Sequence, residues 1–131
     1  MAGITDLDIL LRSMRPHLLD AEFVFCTRSG SLKDYCGLNP VATFQEAEGL
    51  TLVLEKTVAE AAGFAFSGSY RQISLTVHSS LDAVGLTAAI ATKLASKGIS
   101  ANVIAAYYHD HIFVQQHKAA EALAALQEFA V

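Results

Sequence analysis

The sequence predicts an α+β fold organised around one run, Arg71 to Val114, that reads as strand, loop, helix, strand, hairpin and strand. Three observations predict it. Ile73, Leu75 and Val77 alternate with Gln72, Ser74, Thr76 and His78, the two-residue period of a strand with one apolar face. The period then changes: Leu86, Ile90 and Leu94 recur every four residues, with Ala88, Ala89, Ala91 and Ala95 between them and Lys93 and Lys97 on the wet side. A second helical stripe, Ala119, Ala122, Leu123, Leu126 and Phe129, ends the chain, giving the order βαββα.

Between the first strand and its helix lies Ser79-Ser80-Leu81-Asp82-Ala83-Val84-Gly85-Leu86. Hydroxyls, a carboxylate and a glycine gather there, where the free N–H groups of a helix start can meet a ligand. Asp82 sits where an N-cap is expected, and Gly85 removes a Cβ from a point of close approach. Gly98 closes the helix as a C′ stop. From Ile99 to Tyr108 the chain is apolar on alternate residues, and Ile104 and Ala106 make the other face apolar too, which predicts a strand covered on both faces. Tyr108-His109-Asp110-His111 reads as the turn, and Ile112, Phe113 and Val114 begin the return strand.

The first half is read the same way. Ile4 to Met14 has helical spacing, with Thr5 or Asp6 as cap, and Pro16 ends it. Glu22 to Thr27 is strand-like, and Arg28 to Pro40 lacks periodicity and reads as a long surface loop. Val41 to Leu54 reads as a hairpin turning through Glu46-Ala47-Glu48-Gly49, followed by a short helix from Glu55 to Ala62 that Gly63 stops. Phe64-Ala65-Phe66 is a brief strand or a turn. At an offset of 61 residues, LVLEKTVAEAA aligns with FVQQHKAAEAL, suggesting an internal repeat.

The segment LDAVGLTAAIATKLASKGIS, with Asp82, Gly85 and Leu86 spaced Asp-x-x-Gly-Leu beside the family's Asp-x-x-Gly-x-Leu loop, resembles the ACT domain family, the small ferredoxin-like regulatory modules of amino-acid metabolism. ISANVIAAYYHDHIFVQQHKAAEALAAL is similar to the second strand, hairpin, third strand and second helix of the tandem ACT modules of aspartate kinases and of small stand-alone bacterial ACT proteins. The chain departs from many relatives at Ala83-Val84, where they carry a proline before the glycine. The resemblance implies ferredoxin-like βαββαβ units with antiparallel sheets and helices on one face. Two are expected, packed together: an incomplete N-terminal unit over 1–69 and a C-terminal unit over 70–131. It also implies a regulatory module that binds a small molecule, an amino acid first, and catalyses nothing itself. The ligand would lie against Ser79, Ser80, Leu81, Asp82, Ala83, Val84, Gly85 and Leu86, with Asn102 of the second strand completing the site.

Composition narrows the alternatives. In 131 residues, 53% are hydrophobic and 17% charged, enough for a core and sparse enough on the surface to suggest a homodimer. A net charge of -4 leaves no basic stripe for nucleic acid. No apolar run reaches the length of a membrane span and the start lacks a secretion signal, so the expected compartment is the cytoplasm. With no catalytic domain in view, an enzyme partner is expected to act in trans.

Other chemistries have weaker signals. His109 and His111, two apart on a hairpin, are the best metal pair, but a third ligand is lacking and the bland reading is an exposed turn; neither metal nor cofactor is expected. Cys26 and Cys36, ten apart, read as free thiols in a reducing compartment, and His17 and His78 as ordinary histidines rather than their catalytic base. Glu46 and Glu48 share a face at a turn, where solvation is the simpler reading than paired acid and base. A second hypothesis is a structural oligomerisation protein made of ACT units that have lost their ligand. A third is a small enzyme using Cys36 in the 28–40 loop.

Overall fold

In the computed structural model of the chain, residues 6–78 and 80–130 are described. The elements are α1 (Leu7–Ser13), β1 (Pro16–Arg28), β2 (Ala42–Glu46), β3 (Gly49–Glu55), α2 (Lys56–Ala62), β4 (Tyr70–Leu75), α3 (Leu86–Ser96), β5 (Asn102–Ala105), β6 (Asp110–Gln115) and α4 (Ala119–Gln127). The expected α+β class is what the chain adopts, with antiparallel pairing in its hairpins. It separates into two compact units, Ala21–Tyr70 and Met1–Asp20 together with Arg71–Val131.

In the discontinuous unit the strand order is β1-β4-β6-β5, with β1 represented by its first five residues, 16–20. Taken from β4, the path is β4, α3, β5, β6, α4, and the missing last strand of a βαββαβ unit comes from the beginning of the chain. Thr76 fastens that strand by donating from its N and its Oγ1 to Arg15 O at 3.0 and 2.8 Å. Arg71 does the same further along, its Nε and Nη2 donating to Leu19 O at 2.9 and 2.6 Å. Leu10 and Met14 of α1, Leu86, Ile90 and Leu94 of α3, and Ala122 and Leu126 of α4 bury against Ile73, Leu75, Ile112 and Val114 of the sheet. Each large apolar side chain so buried is worth about 1.5–3 kcal/mol.

The unit Ala21–Tyr70 has the order β2-β3-β1. Registers pair Val24 with Leu54 and Thr43 with Leu52. Val24, Cys26, Leu50, Leu52, Leu54 and Ala59 form its core, and Tyr35, Leu38, Phe64 and Phe66 pack against it. The hairpin turns at Ala47-Glu48 as expected. Gly49 follows with φ +155, where a Cβ would stand 2.8 Å from Thr27 Oγ1. The stretch expected to be a long loop holds two single-turn 3-10 helices, Leu32–Asp34 and Cys36–Leu38, where the C-terminal unit has a full helix. Ser31 N donates to Asp34 Oδ2 at 3.0 Å to start the first, and Asn39 in the left-handed region (φ 52) ends the second. Two glycines and Asn39 within ten residues leave no room for a sustained helix.

Several boundaries moved. The first helix begins at Leu7, capped by Asp6, whose Oδ1 accepts from Ile9 N at 3.1 Å; Ile4 and Thr5 lie outside the described residues. Strand β1 starts at Pro16, six residues before the expected Glu22. Proline is tolerated at a strand's first position, and the unpatterned Leu18-Leu19 concealed the rest. The strand expected over Ile99–Tyr108 is only Asn102–Ala105, and it is the edge of its sheet. Asn102 and Ala105 are exposed, so its two faces are not both covered within the chain. The turn is Ala106–His109, closed by Ala106 N donating to His109 O at 3.1 Å, and Asp110 and His111 belong to the return strand.

Candidate functional site

The loop between β4 and α3 meets the β5–β6 hairpin at a cavity of ≈ 60 Å³ lined by Ser80, Leu81, Ala83, Leu86, Thr87, Ala105 and Asp110. Of the nine residues expected from sequence, Ser80, Leu81, Ala83 and Leu86 line this cavity. Ser79 lies outside the described residues. Asp82, Val84 and Gly85 belong to the same loop but not to the lining, and Val84 is 83% exposed. Asn102 stands three residues before Ala105 on the edge strand, and its Nδ2 donates to Phe113 O at 3.1 Å, which ties it into strand pairing. At about 3.3 Å per residue that is roughly 10 Å along β5 from the cavity-lining Ala105.

Asp82 does not cap the helix, contrary to the sequence expectation. Ala83 N donates to Ser80 O at 3.0 Å and Asp82 N to Ser80 Oγ at 3.1 Å, so Asp82 is an exposed residue of a tight turn. The cap is Gly85, three residues later, with φ +98 and no side chain to accept a hydrogen bond. Only glycine enters this conformation without strain, and a Cβ there would come within 3.1 Å of Leu7 Cδ2. The first backbone bond of α3 runs from Ala89 N to Gly85 O at 2.9 Å. The amides of Leu86, Thr87 and Ala88 precede it with no side-chain cap, so the positive end of an 11-residue helix is open beside the cavity.

The cavity lining also carries a residue that sequence reading missed. Asp110 is 6% exposed, on the strand face shared with Ile112 and Val114, and lines the cavity. Among the described residues its carboxylate has neither a hydrogen bond nor an ion pair. Burial pushes it above the usual carboxylate range, and His111 and His109 offset part of that rise. The signal available in the sequence was its parity with Ile112 and Val114; assigning it to a turn hid that parity.

The histidines face other partners. Gln72 Nε2 donates to Ser74 Oγ at 3.1 Å, which leaves the Ser74 hydroxyl proton for His111 Nδ1, 2.8 Å away. Gln72 Nε2 also lies 3.2 Å from His111 Nδ1, an arrangement that suits a neutral imidazole accepting at Nδ1. Burial holds it below the ordinary histidine range, the neighbouring His109 adds to this, and Asp110 works against it. Gln72 Oε1 is buried without a partner. His109 Nδ1 lies 3.3 Å from Val77 O. Both rings are half-buried, not the exposed turn residues expected. Each has its Nδ1 engaged by protein, and among the described residues no three His, Cys, Asp or Glu side chains converge as a metal site. Beside them His78, Tyr107 and Tyr108 form an aromatic cluster with ring centroids 4.9–6.0 Å apart, both tyrosines being exposed.

The remaining candidates stand apart from this cavity. Cys26 is buried and free, its thiol pushed up by burial with Arg28 offsetting part; Cys36 is exposed and free, its Sγ donating to Lys33 O at 3.5 Å. Glu46 accepts from Thr51 Oγ1 at 2.5 Å and Glu48 is exposed at the hairpin turn. No helix among the described residues is long and apolar enough to cross a membrane.

Known proteins share this fold. A crystal structure of a Vibrio cholerae protein of unknown function, described as a possible transport protein, shares 61% identity over 99% of this chain and 100% of its own, with a TM-score of 0.89. The ligand-free regulatory subunit of aspartate kinase from Thermus thermophilus superposes with a TM-score of 0.67 at 12% identity, over 86% of this chain and 94% of its own. A protein from Agrobacterium tumefaciens superposes at 0.70 and 12% identity, over 89% of each chain. These last two share the fold. No curated protein matches. ACT domain models match residues 2–71 and 67–128, and the chain therefore belongs to the ACT domain family, with two such domains in tandem.

Proposed function

We propose that this protein is a regulatory ACT module that binds a small amino acid in the cavity between the Ser80–Leu86 loop and the β5–β6 hairpin, and that it has no reaction of its own. The observation that carries this reading is the uncapped start of α3 opening on a polar cavity, at the loop that the sequence already singled out. Backbone amides at a helix start receive a carboxylate with no further machinery. Kinship with ACT domains and the fold shared with regulatory subunits of aspartate kinase support a regulatory role over a catalytic one. The ligand acts by binding one arrangement of the loop better than another, and the shift it produces is limited to that difference in affinity. In sequence the two domains correspond to 1–69 and 70–131, the second carrying the ligand loop. The module works as a homodimer in the cytoplasm and informs an enzyme in trans.

A thermal-shift screen of the purified protein against the twenty amino acids tests the reading. A ligand at a hundred times its dissociation constant stabilises a fold by about 2.7 kcal/mol, a shift of several degrees at this size. Absence of a shift with every amino acid contradicts it. The oligomerisation reading is favoured by one observation, the exposed Leu81, Val84, Tyr107 and Tyr108 at the loop and hairpin. It predicts a dimer that no amino acid stabilises.

A further inference from the structure

Asp110 is an unusual group among the described residues. A carboxylate 6% exposed is expected to be paired, yet among the described residues nothing bonds to it. It does not serve as a distant cap for α3 either, since no amide of that helix donates to it. What it has is an opening: it lines the same cavity as Leu86 and Thr87, the first two residues of α3. The cavity thus has an unpaired anion on one wall and the positive end of a helix on another.

A ligand suited to that pair of walls carries both charges. A simple anion would meet the helix but repel Asp110. A divalent cation would meet Asp110 but face the helix's positive end, with only the Ser80 and Thr87 hydroxyls as further side-chain oxygens on the lining, short of the six to eight that calcium takes. A zwitterion with its charges separated by one carbon satisfies both. The volume of ≈ 60 Å³ suits such a head group: at roughly 10–15 Å³ per water it holds a few waters and excludes a nucleotide. Leu81 lines the cavity and is 68% exposed, so it stands at the mouth, where a ligand side chain leaves.

We infer that Asp110, rather than Asp82, is the residue that receives the ligand's primary ammonium group and so restricts the site to zwitterions with a free amine. This rests on the amino-acid reading above and adds the residue that sets its selectivity. Burial disfavours a lone charge at Asp110, so an ammonium that pairs with it relieves that penalty and holds the carboxylate in its charged form.

The test uses the full chain and the amino acid that gives the largest thermal shift, titrated calorimetrically alongside its des-amino carboxylic acid and its N-acetyl derivative. The expected result is that the amino acid binds at least about tenfold more tightly than either analogue. Asp110→Asn keeps the fold by circular dichroism and loses at least the same factor, while Asp82→Asn binds as the wild type does. Equal affinity for the N-acetyl derivative overturns the inference, and so does unchanged affinity in Asp110→Asn; both leave the amino-acid reading intact. No binding of any amino acid to the wild type overturns both. Should Asp110→Asn fail to fold, the analogue comparison on the wild type decides alone.

Discussion

Two neighbouring side chains carry opposite pH signatures. Asp110 has a raised native pKa, so between its unfolded value, about 3.9, and its native value the unfolded chain releases its proton first. Stability from this group is full at acid pH and falls as pH rises. Asp110→Asn is therefore expected to raise Tm by a few degrees at pH 7, with the gap closing toward pH 4. A variant less stable than wild type at pH 7 would show that the carboxylate has a stabilising partner. His111 has a lowered native pKa, so as pH falls below about 6.5 the unfolded state takes up its proton first and stability drops. An imidazole titration by NMR is expected to find the His111 midpoint below the ordinary histidine value, with the neutral ring's proton on Nε2. A midpoint at or above the ordinary histidine value would contradict the Ser74 and Gln72 network as described. A group whose removal stabilises the fold is the kind retained for binding, where stability and function trade against each other.

Among the elements, α3 tests the local reading most directly. Gly85→Ala forces a Cβ into the left-handed region and toward Leu7, and is expected to cost about 1–2 kcal/mol in chemical denaturation. Asp82→Ala, at an exposed turn, is expected to stay within about 0.5 kcal/mol, whereas Asp6→Ala, a working cap, costs about 1 kcal/mol. A cap-sized loss at Asp82 would mean that the helix starts earlier than Leu86. These cases show how far the sequence could be read. The stripe Leu86, Ile90, Leu94 located the helix because burial sets its period, and all three are at most 4% exposed. Its start was misjudged because an aspartate before an apolar run is a good cap by chemistry, while the turn at Ser80 and the approach of Leu7 to Gly85 are tertiary facts. The β5 strand was overestimated for a related reason: alternating alanines read as buried on both faces, yet small residues are also what an edge tolerates.

At the scale of the whole molecule, the two domains are consecutive in the family matches, but compactness follows a different division. The stretch Ala21–Tyr70 is inserted between a first strand and the βαββα run that completes it. No periodicity near Pro16–Asp20 hints that this strand is the last one of the other unit; strand partnership is a long-range property, and only the Arg71 fork on Leu19 O and the Thr76 bonds to Arg15 O reveal it. A fragment of residues 70–131 alone is therefore expected to lack a cooperative unfolding transition and to gain one when a peptide of residues 6–20 is added. A fragment that folds cooperatively by itself would contradict the assignment of that strand.

Backbone amide NMR during titration with the amino acid selected by thermal shift tests whether the cavity between α3 and the β5–β6 hairpin is the ligand site. The largest shifts are expected on Leu86, Thr87 and Ala88 and on Asp110, saturating together. Shifts confined to other parts of the chain, or none as the ligand is added in excess, would contradict it.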